Sequence, residues 1–191
     1  MTAETDERSR SDESPSGPLE RIPYRTPWGT GMIVMLGPLL LSVELPLVER
    51  PDLELPGPAV SYESASESRP VRAERWVTSL EAYFSGERLG WTLNEVPLEE
   101  LDVGRFERNV YGVLLSVPPA MTVSYGTLAE MAGYPRAARA VGNAMAANPW
   151  PVIIPCHRVI RSDGTLGRYG TDPAWKPRLL EHEAAHLERR S

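Results

Sequence analysis

The chain has 191 residues, 41% of them hydrophobic, with five tryptophans; that is enough to fill the core of one large or two small domains, and it excludes a wholly disordered polymer. A single cysteine excludes an internal disulfide or a Cys-rich zinc site, and no apolar run is long enough to span a bilayer. The net charge of −6 is unevenly spread, with 9 Lys+Arg against 19 Asp+Glu over residues 1–104 and 11 against 7 over residues 105–191, so a polyanionic partner is expected at the second half.

Residues 1–20 are charged, Ser-rich and almost free of large apolar groups; they are expected to be a disordered tail and do not resemble a signal peptide, which predicts a cytoplasmic protein. Met32–Leu36 and Leu39–Val43 are short apolar runs broken by Gly37-Pro38 and read as two strands. Residues 49–72, rich in Pro, Ser and Glu, read as an irregular connection. Ala73–Phe84 spaces Trp76, Val77, Leu80, Tyr83 and Phe84 as one helix face, with Gly86 as the stop. Trp91, Leu93 and Val96 alternate as a half-buried strand would. Residues 21–100 thus read as an α+β domain of sheet plus helix.

The second domain, residues 105–191, reads as mostly helical. Phe106, Val110, Val113 and Leu114 recur at helical spacing, ended by Pro118-Pro119. Ser124 introduces a short helix from Tyr125 to Ala132, closed by Gly133; a second helix is expected over Arg136–Asn148. The pair has a helix-turn-helix outline. The second helix is full of Ala and Gly, which lets a backbone lie close to whatever it meets, whether a minor groove or a packed interior. Arg136 and Arg139 argue against complete burial.

The lone Cys156 sits in Ile153-Ile154-Pro155-Cys156-His157-Arg158-Val159-Ile160. A lone cysteine in apolar company is commonly an inert hydrophobe, but an adjacent histidine and arginine favour thiolate. The three histidines, His157, His182 and His186, and one cysteine make no metal-binding spacing, so no metal is expected.

Pro155-Cys156-His157-Arg158-Val159 resembles the active-site signature of the O6-alkylguanine-DNA alkyltransferases. Thr122-Val-Ser-Tyr-Gly-Thr-Leu-Ala129, Ala137-Ala-Arg-Ala-Val-Gly142, Asn148-Pro149 and Leu179-Leu180-Glu-His-Glu183 resemble that family's motifs in order and spacing. The resemblance covers residues 106–187 strongly and the first hundred only in general layout. It implies a ribonuclease-H-like N-terminal domain and a winged-helix-like C-terminal domain. The implied activity is DNA repair by irreversible, single-turnover transfer of the alkyl group of O6-alkylguanine, and of O4-alkylthymine, to Cys156. No cofactor is implied. The partner would be duplex DNA met through its minor groove, and the protein a monomer.

The resemblance also implies roles. Cys156 is the nucleophile, His157 takes its proton through a bridging water, Glu183 orients His157, and Tyr125 assists the leaving guanine and crowds the target phosphate. Arg139 fills the space of the extruded base. Gly126, Tyr134, Arg136, Ala137 and Ser162 face the DNA. Asn148 ties the helix-turn-helix to the active-site segment, and Pro155, Val159, Tyr169 and Gly170 shape the base pocket. The chain departs from the family pattern at Gly170-Thr171-Asp172-Pro173, where a Gly-Gly pair is common; bulkier residues there imply a narrower pocket. Three other readings share some of these features. They are a non-catalytic alkyltransferase-like protein that binds lesions, a helix-turn-helix regulator, and a cysteine hydrolase built on Cys156 and His157.

Overall fold

The computed structural model describes residues 17–46, 71–167, 169, 170 and 172–190. The proposed tail up to residue 16, the connection over 49–70 and Thr171 of the pocket loop lie outside the described residues.

Three antiparallel strands, β1 (Leu19–Thr26), β2 (Gly29–Leu36) and β3 (Leu39–Glu44), form a meander. The runs over β2 and β3 fall where the apolar spacing puts them. β1 does not: it starts inside the stretch read as tail. Its sequence, Leu-Glu-Arg-Ile-Pro-Tyr-Arg-Thr, buries only Ile22 and Tyr24, two residues apart on one face. As an edge strand it tolerates Pro23, because its outer backbone row needs no ladder partner.

Helix α1 (Val71–Phe84) packs on the sheet through Ala73, Trp76, Val77, Leu80, Tyr83 and Phe84. Gly86 ends it as expected: φ is +82°, and its N–H donates to the Tyr83 carbonyl. The alternation at Trp91–Val96 is not a strand. Thr92 and Glu95 close a capping box over a single 3-10 turn at Leu93–Glu95, and a second turn follows at Leu98–Glu100. Pro97 and local side-chain hydrogen bonds override the period-2 pattern.

Helix α2 (Arg105–Leu114) buries Val110, Tyr111 and Leu114 and stops before Pro118-Pro119. Strand β4 (Val123–Ser124) leads into α3 (Tyr125–Met131), capped by Ser124, whose Oγ accepts from the Thr127 N–H at 3.0 Å. Helix α4 spans Ala138–Ala146, two residues short of the expected run at each end. Arg136 explains its start, because φ there is +70°, a left-handed conformation no α-helix continues through. Strand β5 (Val159–Ile160) pairs in parallel with β4, and α5 (Trp175–Glu188) closes the chain. Pro177 lies in the first turn of α5, where its missing N–H breaks no intrahelical bond.

The two halves share one core. Trp150 is fully buried, and its Nε1 donates to the Leu40 carbonyl of β3 at 3.1 Å. The Val43 N–H donates to the Pro149 carbonyl at 2.9 Å. Among the described residues no helix is long and apolar enough to cross a membrane.

Candidate functional site

Cys156, His157 and Arg158 form one 3-10 turn between the buried run Val152–Pro155 and β5. The parallel β4–β5 pair sets Val123 beside Val159, so Tyr125, the first residue of α3, and the cysteine turn flank the same short ladder. Cys156 is 6% exposed. Its Sγ lies 3.1 Å from Asn148 Nδ2, which also donates to the Ile154 carbonyl, while Asn148 Oδ1 accepts from the Trp150 N–H. Asn148 thus links the end of the helix-turn-helix to the cysteine run.

Burial pushes the Cys156 thiol above its ordinary pKa; the Asn148 amide, the Tyr169 hydroxyl and the Lys176 ammonium act the other way. Tyr169 Oη is buried without a hydrogen bond of normal geometry, yet lies near enough to the sulfur to favour thiolate.

Glu183, on the buried face of α5, is fully enclosed. Its Oε1 lies 2.8 Å from His157 Nε2 and 2.7 Å from Arg158 Nη2, and accepts from Tyr83 Oη at 2.9 Å. Its Oε2 accepts from the Ala120 N–H at 2.7 Å and from Arg158 Nε at 3.1 Å. Burial alone would raise its pKa, but His157 and Arg158 outweigh that and hold it at about 2. An ionised Glu183 makes His157 Nε2 the protonated nitrogen and leaves the lone pair on Nδ1, which has no hydrogen-bond partner among the described residues. Burial lowers the His157 pKa, only partly offset by Glu183, so the resting imidazole is neutral. A thiol, a neutral imidazole with a free Nδ1 lone pair and an enclosed carboxylate bonded to that imidazole are the groups a nucleophile, its base and an orienter require.

Tyr125 is half-buried. A Cβ at Gly167 would sit 3.2 Å from Tyr125 Oη, so the hydroxyl rests against the Ser162–Gly170 loop at a residue with φ +71°. Gly126 is half-buried at the start of α3. Arg136 and Arg139 are exposed, Ala137 is half-buried, and Ser162 and Gly170 are exposed on their loop. Pro155, Val159 and Tyr169 are buried around the cysteine. Tyr134 is engaged by the fold itself: its Oη accepts from Asn109 Nδ2 at 2.9 Å, and its ring meets Phe106 edge-on. In the altered loop, Asp172 Oδ1 accepts from the Ala174 N–H at 2.9 Å, ordering the entry to α5.

Sequence reasoning missed two contributors, Tyr83 and Lys176, and gave a third, Arg158, a different part: expected to favour the thiolate, it pairs with Glu183. Arg158 is 2% exposed and bridges Glu183, the Val117 carbonyl and the Leu89 carbonyl. Tyr83 reaches Glu183 from α1. Lys176 is buried beside the cysteine turn. The spacing of Lys176, Leu179 and Glu183 at i, i+3 and i+7 was the available signal for the last, because it places all three on one face of α5.

Comparisons with known proteins place the chain beside one family. Residues 105–185 match the family described as 6-O-methylguanine DNA methyltransferase, DNA binding domain. The chain is 49% identical over 119 residues to a methylated-DNA–protein-cysteine methyltransferase of Mus musculus, covering 59% of this chain and 54% of that protein. It is 45% identical over 108 residues to the protein of that name from Mycobacterium leprae, covering 56% and 62%. These matches therefore span between half and two thirds of the curated relatives' own length. A crystal structure of Mycobacterium tuberculosis OGT in complex with DNA aligns at a TM-score of 0.62 with 32% identity, covering 86% of this chain and 92% of that one. A variant of the M. tuberculosis O6-methylguanine methyltransferase aligns at 0.63 with 32% identity, covering 88% and 94%. At 32% identity over 92% and 94% of those two structures, the chain belongs to the O6-methylguanine-DNA methyltransferase family.

Proposed function

We propose that this protein repairs alkylated DNA by moving the alkyl group of O6-alkylguanine, and of O4-alkylthymine, onto Cys156, once per molecule. The observation that carries this reading is the single turn on which the only thiol, held by Asn148, adjoins an imidazole hydrogen-bonded to the enclosed Glu183.

Attack on an alkyl carbon needs a soft anion, and a thiol of raised pKa supplies few at neutral pH. His157 Nδ1, its lone pair fixed by the Nε2–Glu183 bond, takes the Sγ proton through a bridging water. The S–C bond forms as the C–O6 bond breaks, and the electron pair stays on guanine. Tyr125 Oη donates to the base and offsets that charge. The proton count closes when His157 releases its proton to solvent and guanine is reprotonated. The product thioether has no route back to thiol, hence one turnover. Neither cofactor nor metal has a part in this reading.

The lesion lies inside the base stack and must be extruded, at a cost of a few kcal/mol. Arg139, exposed on the small-residue helix α4, fills the space left behind as that helix lies along the minor groove, with Tyr125, Gly126, Tyr134, Arg136, Ala137 and Ser162 contacting the strand. Pro155, Val159, Tyr169 and Gly170 line the base pocket. We read residues 21–100 as a ribonuclease-H-like domain, which the antiparallel meander with α1 supports, and 105–191 as a winged-helix-like domain, which the α3–α4 pair with its β4–β5 ladder supports, in a cytoplasmic monomer. The presence of Cys156 argues against a non-catalytic lesion binder.

Duplex DNA carrying O6-methylguanine labelled in its methyl group tests the proposal. Label should pass to the protein in at most one equivalent and stay there. Label that never reaches protein, or one molecule clearing many lesions, contradicts it.

A further inference from the structure

Lys176 has no part in the relay just described, yet it is among the most enclosed side chains of the protein, 1% exposed. Its Nζ donates to the carbonyl of Val159, the residue that follows the cysteine turn. It also lies 5.8 Å from the Tyr125 ring centroid. Among the described residues it forms no ion pair with a carboxylate. A buried ammonium with one neutral acceptor is costly to keep, and a negative charge forming beside it offsets that cost. Glu183, on the same face of α5, is occupied by His157 and Arg158. The remaining group that interacts with it and becomes anionic in the proposed transfer is Cys156.

We propose that Lys176 is the counter-ion of the Cys156 thiolate, a further residue of the transfer site that acts on the nucleophile through space. Its contact with the Val159 carbonyl holds the ammonium against the segment bearing the sulfur. The other groups around the pair are accounted for. Tyr125, Tyr169 and Tyr111 face the sulfur as phenols that burial keeps protonated. Arg161 is a cation that opposes the charge on Lys176, and His157 is kept neutral. Burial pulls Lys176 down to about 8, and the charge that Cys156 acquires on ionisation pulls it back up, so ammonium and thiolate favour each other. Lys176 thereby offsets part of the burial that opposes ionisation of the thiol.

The role assigned to Lys176 rests on the alkyl-transfer reading only through the rate. Thiolate absorbance is titrated in the full-length protein, with Cys156→Ala as the blank, alongside single-turnover transfer from O6-methylguanine duplex. Lys176→Met should raise the midpoint by about 1 unit or more, the size expected for losing a nearby opposite charge. Transfer at pH 7 should slow by about tenfold for each unit of that shift. Lys176→Arg should restore most of both. A midpoint unchanged in Lys176→Met overturns the proposal. A shifted midpoint in a protein that never accepts methyl leaves the pairing standing and refutes the transfer reading instead. The unmutated protein supplies a second measurement, decisive if Lys176→Met does not fold. Methylating Cys156 removes the counter-ion, so the Lys176 amine followed by NMR should titrate at lower pH afterwards; an unmoved titration overturns the pairing.

Discussion

Cys156 and Glu183 answer different questions about the site, and their substitutions separate them. Cys156→Ala removes the acceptor atom but little packing, so transfer should vanish while lesion-bearing duplex is still bound, as read by fluorescence anisotropy. Glu183→Gln removes the charge that pairs with Arg158 in an enclosed position, and breaking a buried pair costs about 3–5 kcal/mol. Denaturant unfolding should show that loss together with slow transfer. The same residues fix a pH dependence. Burial holds His157 and His182 below the ordinary histidine value of 6.5. Above 6.5 both are neutral folded or unfolded; below it the unfolded chain takes up protons that the native chain resists. Stability should therefore fall as pH drops from 7 to 5, seen as a lower Tm, and a Tm that rises over that range would contradict their burial as neutral groups.

Among the elements, α4 and the turn after α1 are the most exposed to test. Arg139→Ala on α4 should slow repair in duplex more than reaction with free O6-methylguanine, because only the duplex reaction requires extrusion; equal losses would remove that role. Gly86→Ala should destabilise by more than about 1 kcal/mol in thermal or denaturant unfolding. Its φ of +82° is strained for alanine, and a Cβ there would lie 1.7 Å from His186 Cδ2. The sequence made the helices legible where apolar residues recur at helical spacing, as in α1 and α2. It concealed β1, because two buried side chains in eight residues, with a proline between them, give too weak an alternation. It misread Trp91–Val96 because Thr92 and Glu95 satisfy each other locally, which a count of apolar positions does not register. The start of α4 was hidden by Arg136, whose backbone angle no residue type announces.

At the scale of the whole molecule, the N-terminal half is joined to the chemistry rather than appended to it. Tyr83 donates to Glu183, the Leu89 carbonyl accepts from Arg158, and the Tyr83 carbonyl lies 2.8 Å from His182 Nε2. With Trp150 anchored to β3, these contacts predict one cooperative unfolding transition, monitored together by tryptophan fluorescence and far-ultraviolet circular dichroism. The local motif disclosed Cys156, His157 and Glu183 as neighbours because they fall in short, characteristic runs. It could not disclose Tyr83, which lies 100 residues from Glu183 and meets it only through the fold. Nor did it disclose Arg158 as the bridge between the halves.

Alkyl transfer should leave Cys156 as a thioether. Intact-protein mass spectrometry before and after incubation with O6-methylguanine duplex measures this directly. The chain should gain one methyl group, localised to Cys156 and absent from Cys156→Ala. An unchanged mass with the lesion consumed, or a methyl group found on another residue, would contradict it.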